Sequence, residues 1–338
     1  MATKINTKYL LDLVSRSFAL TIPLLDKNKK SKVEVQYLLA RIIDTIEDSN
    51  HTKEDKETLI TGFINILKTE NTENLENFKK IVIENTINEN DKVLIENINV
   101  VLKSFYTFKQ EIKNISISYL REMGYGMIYY QDHPITTFED LDDYCYYVAG
   151  TVGVYLTELA KMLDNLELDK EKAKSLGRFL QKVNIIKDAK IDYKEKRFFW
   201  PVTLFDNENP APYFEDGAYM DKAMEVLSQM IKSAMNEFRN SIEYIMTIEK
   251  KAIGYRHFCL VATLMGYENL KLMKNNYNIF MGETVKIPRK NTLEIVTKVK
   301  ADFYTNKKLE DLLEKAFAKE SEATAKESEA AAPKENDN

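Results

Sequence analysis

Residues Tyr37 to Asp48 read YLLARIIDTIED, and residues Leu176 to Asp192 read LGRFLQKVNIIKDAKID. In the first stretch Tyr37, Arg41, Asp44 and Asp48 follow one another at intervals of four, three and four residues, the spacing that stacks side chains on one face of an α-helix. Leu38, Leu39, Ile42, Ile43 and Ile46 occupy the remainder, so this helix is predicted to be largely buried. In the second stretch Gln181, Asn184, Asp188 and Asp192 recur at intervals of three, four and four, flanked by Leu180, Val183, Ile185 and Ile186. A carboxylate held among apolar neighbours is costly unless it is paired or bound to a metal. Taken singly, either acidic run reads as a solvated face, with Asp44 and Asp48 paired to Arg41. The apolar flanks and the presence of two such helices favour metal binding instead.

An oxygen-rich stripe of carboxylates and amides suits Mg²⁺, which is held by one or two carboxylates together with waters and substrate phosphates. Two such helices facing each other would grip a diphosphate through the ion, whose charge reverses the repulsion between carboxylate and phosphate. Arg41, Lys187 and Arg197 would complete the neutralisation.

The rest of the chain predicts an all-α fold. Among 338 residues there are only 10 Gly and 7 Pro, too few for a turn-rich β architecture, and apolar residues recur at helical spacing, as in Leu59, Phe63, Ile66 and Leu67. A hydrophobic content of 44% can fill one large core. Helix breaks are expected near Pro23, His133-Pro134, Pro201, Asn207 to Pro212 and Pro288. The segment from Asp48 to about Leu94, rich in Asn, Lys and Glu, reads as peripheral and solvated. From about Glu320 the composition is too polar to offset ordering entropy, so a domain over 1–318 with a disordered tail over 319–338 is expected.

A net charge of -5 with interspersed signs argues against nucleic acid as a partner. Cys145 and Cys259 are far apart in apolar surroundings, which suggests neither a disulfide framework nor a thiolate metal site and fits a reducing cytoplasm. His51, His133 and His257 are too dispersed for zinc. Residues Met1 to Leu11 lack the features of a signal peptide, and no uncharged stretch is long enough to span a bilayer. A soluble, monomeric protein is expected, with peripheral membrane contact left open.

Seven blocks, in order along residues 8 to 290, resemble the squalene/phytoene synthase family: VSRSFALTIPLL (14–25), YLLARIIDTIEDS (37–49), MGYGM (123–127), YCYYVAGTVG (144–153), FLQKVNIIKDAKID (179–192), RFFWP (197–201), and FC (258–259) followed by VKI (285–287). The resemblance implies a single-domain helical bundle of the isoprenoid synthase type with a central apolar cavity. It also implies head-to-head condensation of two farnesyl diphosphates to presqualene diphosphate, followed by reduction with NADPH to squalene. The first aspartate-rich motif falls on Asp44, Glu47 and Asp48 and the second on Asp188 and Asp192, with Asn184 beside them as a further metal-site group. Substrate contacts would fall to Ser15, Ser17, Phe18, Tyr37, Arg41, Tyr144, Gln181, Asn184, Lys187 and Arg197, with Tyr144 grouped with the aspartates as catalytic.

Two positions depart from the family pattern: Ile191 stands where a Glu is expected, and Lys187 replaces an Arg, keeping charge without the bidentate fork. Gly124-Tyr125-Gly126 is not a dinucleotide fingerprint, since it lacks the third glycine and a preceding strand. NADPH would therefore rely on scattered groups: Ser15, Ser17, Arg41, Lys286 and Arg289. The block around Lys286 is altered by Pro288, and Phe258 to Thr263 lacks the expected proline, so reduction rests on fewer matched residues than condensation. Blocks 144–152 and 197–201 lie closer to the squalene-forming than to the phytoene-forming branch. The competing readings are a synthase that works without NADPH and stops at presqualene diphosphate or a dehydrosqualene-type product, and a non-catalytic scaffold, which would have no need for both aspartate pairs.

Aromatic walls must shield an allylic cation from water, and Phe18, Tyr37 and Tyr144 are candidates, whereas Tyr147 reads as ordinary packing. Small residues at Gly124, Gly126, Ala149, Gly150, Thr151 and Gly153 either leave room for a prenyl chain or let helices approach closely.

Overall fold

The computed structural model describes residues 5–15, 17–215, 219–282, 285–302 and 305–330. Its helices are α1 (Thr7–Val14), α2 (Phe18–Thr21), α3 (Lys27–Glu47), α4 (Lys53–Thr69), α5 (Leu75–Asn85), α6 (Glu89–Glu96), α7 (Ile98–Phe105) and α8 (Gln110–Tyr129). There follow α9 (Phe138–Cys145), α10 (Thr151–Asp164), α11 (Lys170–Lys194), α12 (Ala211–Glu215), α13 (Met220–Thr247), α14 (Ile253–Met273), α15 (Asn278–Met281), α16 (Arg289–Asp302) and α17 (Asn306–Ala330). Among the described residues there is no strand, and no helix is long and apolar enough to cross a membrane.

Short polar residues start the helices where their side chains can accept orphan backbone N–H groups. Asp26 accepts from Asn28 and Lys29 to open α3, Asp169 accepts from Glu171 and Lys172 to open α11, and Thr137 with Asp140 forms a reciprocal capping box on α9. The expected breaks coincide with prolines: Pro23 lies in a 3₁₀ turn after α2, His133-Pro134 separates α8 from α9, and Pro288 precedes α16.

Two long helices organise the core. Along α3, Leu38, Leu39, Ile42, Ile43 and Ile46 are each 0% exposed, worth about 10 kcal/mol in total as an upper bound at roughly 2 kcal/mol per buried side chain. That gain lets the same helix carry acidic groups on its remaining face. Helix α11 packs against α10, α13 and α14, and its rear face is pinned by a buried charge. Lys182, 1% exposed, pairs with Asp142 of α9 and lies 2.8 Å from Ser233 and 3.5 Å from Glu237 of α13.

Several of the small residues serve close approach, and Ala149 and Gly153 also line a cavity. A methyl group at Gly153 would lie 2.1 Å from the Ala173 carbonyl oxygen, one at Gly177 2.0 Å from that of Ala149, and one at Gly126 2.2 Å from the Tyr147 ring. These contacts press α10 and α11 together beside a π-helical stretch, Tyr146–Gly150, that joins α9 to α10. Such extra-residue turns re-aim the side chains that follow.

One expectation needs correction. The 48–94 segment is not merely a solvated periphery: Phe63, Val82, Leu94 and Ile95 are completely buried, because each lies on the apolar stripe of its own amphipathic helix. Backbone of α17 runs on to Ala330, past the Glu320 at which the tail is expected to begin. Its Ala, Glu and Lys residues are strong helix formers even where they cannot build a core. Residues 331–338 of the expected tail lie outside the described residues.

Candidate active site

Helices α3 and α11 face each other across a cavity of ≈ 490 Å³. From α3 come Tyr37, Arg41, Asp44, Glu47 and Asp48, and from α11 come Gln181, Asn184, Lys187, Asp188 and Asp192. The two faces inferred from spacing thus line one space. The deeper walls are apolar, including Ile22, Val33, Leu180 and Phe258. Phe18 packs on Tyr37 with ring centroids 5.1 Å apart, and Tyr144 stacks on Phe199 at 4.8 Å. Tyr147 is absent from these walls and packs on Tyr125, and Trp200, 1% exposed, donates to the Ile185 carbonyl behind α11.

The carboxylates are held in a strained electrostatic state. Burial pushes Asp44 up to about 7, with Asp48 and Glu47 adding like-charge repulsion against the relief given by Arg41. Burial likewise raises Glu47 and pushes Asp192 up to about 7 despite Arg197. In each case the low-dielectric surroundings disfavour the charged form more than neighbouring bases favour it. Tyr144 is raised well above its ordinary value by burial, so its hydroxyl stays protonated and can donate.

Arg197 links the two acidic sets: its guanidinium contacts Asp48 and lies 3.6 Å from Asp192 and 2.7 Å from Glu195. On α11, Lys187 donates to the Asn184 side chain at 3.0 Å and lies 3.2 Å from Asp188. Among the described residues no three acidic, His or Cys groups converge tightly enough to hold a metal alone. The donor chemistry nonetheless fits Mg²⁺, because the oxygens are split between two walls with space between them, and this ion takes only one or two carboxylates beside waters and phosphates. Burial keeps Asp44 and Asp192 raised even with Arg41 and Arg197 beside them, so neither carboxylate is fully neutralised from within the protein.

Profile comparison matches residues 11–291 to squalene/phytoene synthase. The chain belongs to the squalene/phytoene synthase family. Squalene synthase of Schizosaccharomyces pombe is 31% identical over 303 residues, covering 85% of this chain and 63% of that protein. Squalene synthase of Homo sapiens is 29% identical over 294 residues, covering 85% and 67%. The chain therefore spans about two thirds of the length of these relatives. A solved ligand complex of TcSQS superposes with a TM-score of 0.78 at 28% identity, over 87% of this chain and 84% of that one. A dehydrosqualene synthase complex, at 19% identity and a TM-score of 0.59 over 87% of this chain and 94% of that one, shares the fold. Family membership and the all-α isoprenoid synthase fold agree with the motif blocks.

Not every candidate residue reaches the cavity. Of the groups assigned to NADPH, only Arg41 lines it; Ser15, Ser17, Lys286 and Arg289 are not among its walls. Ser15 is buried and its hydroxyl accepts the Phe18 N–H at 3.0 Å, fixing the start of α2. Lys286 and Arg289 are exposed, and the intervening segment is tied to α14 by the Ile287 N–H donating to Asn269 at 2.9 Å. Two wall residues were missed. Phe199 sits inside the quoted RFFWP block without having been given a role. Asp91 lies in the supposed periphery and lines a second, ≈ 900 Å³ cavity that shares Arg41, Glu47, Asp48, Tyr144 and Arg197 with the first.

Proposed function

We propose that the chain condenses two farnesyl diphosphates head to head into presqualene diphosphate and reduces this to squalene with NADPH. The observation that carries the reading is the junction of two acidic helix faces at one end of an apolar, aromatic-walled cavity. A prenyl diphosphate has the matching asymmetry, an anionic head and a hydrocarbon tail.

Asp44, Glu47 and Asp48 on one side and Asp188 and Asp192 on the other, with Asn184 adjacent, would hold Mg²⁺. When bound, that ion supplies charge neutralisation for the carboxylates and for the departing diphosphate. Arg41, Lys187 and Arg197 would orient the diphosphate oxygens by charge-assisted hydrogen bonds. Ionisation breaks the allylic C–O bond of one substrate, the double bond of the other attacks the cation, and a proton is lost as the cyclopropane closes. Phe18, Tyr37 and the stacked Tyr144–Phe199 pair exclude water and stabilise the cation through their ring faces, on the order of 2 kcal/mol when desolvated. Tyr144, protonated and deep, can donate to the leaving diphosphate. NADPH would supply the hydride that replaces the second diphosphate. Ser15, Ser17, Arg41, Lys286 and Arg289 are the groups that would bind it. The protein would act as a monomer in a reducing cytoplasm, with peripheral membrane contact.

A second reading, the same condensation without reduction, is favoured by the position of Ser15, Ser17, Lys286 and Arg289 outside the cavity walls. Incubation of purified protein with farnesyl diphosphate and Mg²⁺, with and without NADPH, separates them. Squalene only with NADPH supports the full sequence. Unchanged products on adding NADPH refute the reductive step, and no prenyl product in either arm refutes condensation.

A further inference from the structure

Arg41 does not act alone. Its Nε donates to Asp91 Oδ1 at 2.9 Å and its Nη2 to Asp91 Oδ2 at 2.7 Å, a two-pronged pair that fixes the plane of the guanidinium. Asp44, the nearer acid in sequence, is only a loose partner, at 3.8 Å from Nη1. Asp91 is 4% exposed and stands on α6, whose first turn is set by the Asn88 side chain accepting from Asn90 and Asp91 N–H groups. Leu94 and Ile95, one turn on, are fully buried and anchor that helix. Arg41 lines both cavities, whereas Asp91 lines only the second.

We propose that Asp91 is a positioning residue, resting on the function proposed above, that holds Arg41 in the orientation required to receive a substrate diphosphate. A free arginine in this place would swing toward the three acids of its own helix, Asp44, Glu47 and Asp48, and neutralise the face that must carry metal. Engaging Nε and Nη2 from the rear leaves Nη1 for the cavity. The carboxylate therefore sets both the direction of one cation and the charge of the acidic wall, from a helix that contributes no wall to the first cavity.

The test compares wild type with Asp91→Asn, Asp91→Ala and Asp91→Glu in full-length protein, each alone and combined with Arg41→Gln. Two readouts are taken: steady-state turnover of farnesyl diphosphate, and calorimetric binding of inorganic diphosphate with Mg²⁺, which needs no turnover. Asp91→Asn, nearly isosteric, is expected to raise KM and the diphosphate Kd by about tenfold with kcat changed by less than about threefold. Asp91→Glu should recover part of that loss. In the Arg41→Gln background the same substitutions should change Kd by less than about twofold, because the group being positioned is gone. Unchanged KM and Kd in Asp91→Asn, or a fall in kcat alone in proportion to lost folded protein, would overturn the proposal. Wild type that binds Mg²⁺-diphosphate but makes no prenyl product would instead defeat the functional reading, leaving the binding comparison intact.

Discussion

Replacing Asp44 by Asn removes a charge while keeping shape, and its effect should change sign with conditions. In the folded protein the Asp44 carboxyl is pushed from an ordinary 3.8 up to about 7. At roughly 1.4 kcal/mol per decade of proton affinity, the ionised form burdens the fold by about 4 kcal/mol. With 29% of the side chain exposed, screening leaves about 1–2 kcal/mol of this. Because the folded value lies above the unfolded one, the folded chain binds the extra proton between about pH 4 and pH 7. The burden is absent at the acid end, grows through this window and is complete above pH 7. For 338 residues an unfolding entropy near 0.7 kcal/mol/K converts 1–2 kcal/mol into about 2 °C. Thermal melting in metal-free buffer at pH 8 should therefore place Asp44→Asn about 2 °C above wild type, and the gap should narrow by more than half at pH 5. Adding Mg²⁺ and inorganic diphosphate should reverse the order, since only wild type gains the full stabilisation of binding. A variant that melts below wild type at pH 8 without metal would refute the reasoning and make Asp44 a structural partner of Arg41.

Asp48→Asn and Asp188→Asn should each abolish turnover while leaving the melting temperature equal or higher, measured by product assay and scanning calorimetry on the same preparations. Gly177→Ala should destabilise by about 1–3 kcal/mol, because its methyl group would lie 2.0 Å from the Ala149 carbonyl oxygen and backbone must move; denaturant melts read this directly. Lys182→Met should cost about 3–5 kcal/mol by stranding Asp142 and Glu237, and adding Glu237→Gln should recover part of it in the same melts.

What could be read from the chain was what helical periodicity encodes. The intervals in 37–48 and 176–192 determined which side chains share a face, and the apolar remainder showed that those faces would be enclosed. Periodicity within a helix carries no information about which distant helix will supply a partner. Asp91 was hidden for that reason: it sits among Asn, Lys and Glu in 84–92, and only its place three and four residues before Leu94 and Ile95 hinted at burial. The glycines were ambiguous because a missing side chain looks the same whether hydrocarbon or another backbone fills the gap. Coordinates place the Ala173 backbone against Gly153, which lines the cavity as well. In the tail, low hydrophobicity excludes a core but is silent on local helix.

The arrangement also explains why the acids tolerate their own burial. Cations reach them from three directions: Arg41 held from behind by Asp91, Arg197 between Asp48 and Asp192, and Lys187 beside Asp188. None of these satisfies Asp44 or Asp192, which keep proton affinities near neutrality. Full internal pairing would have given a more stable protein with no reason to recruit an ion. An under-neutralised pair of walls binds a divalent cation more tightly as pH rises through about 7, because the ion then replaces no proton. The burial of these carboxylates and the metal site proposed for them thus have one origin, the apolar flanks of the two helices that frame the cavity.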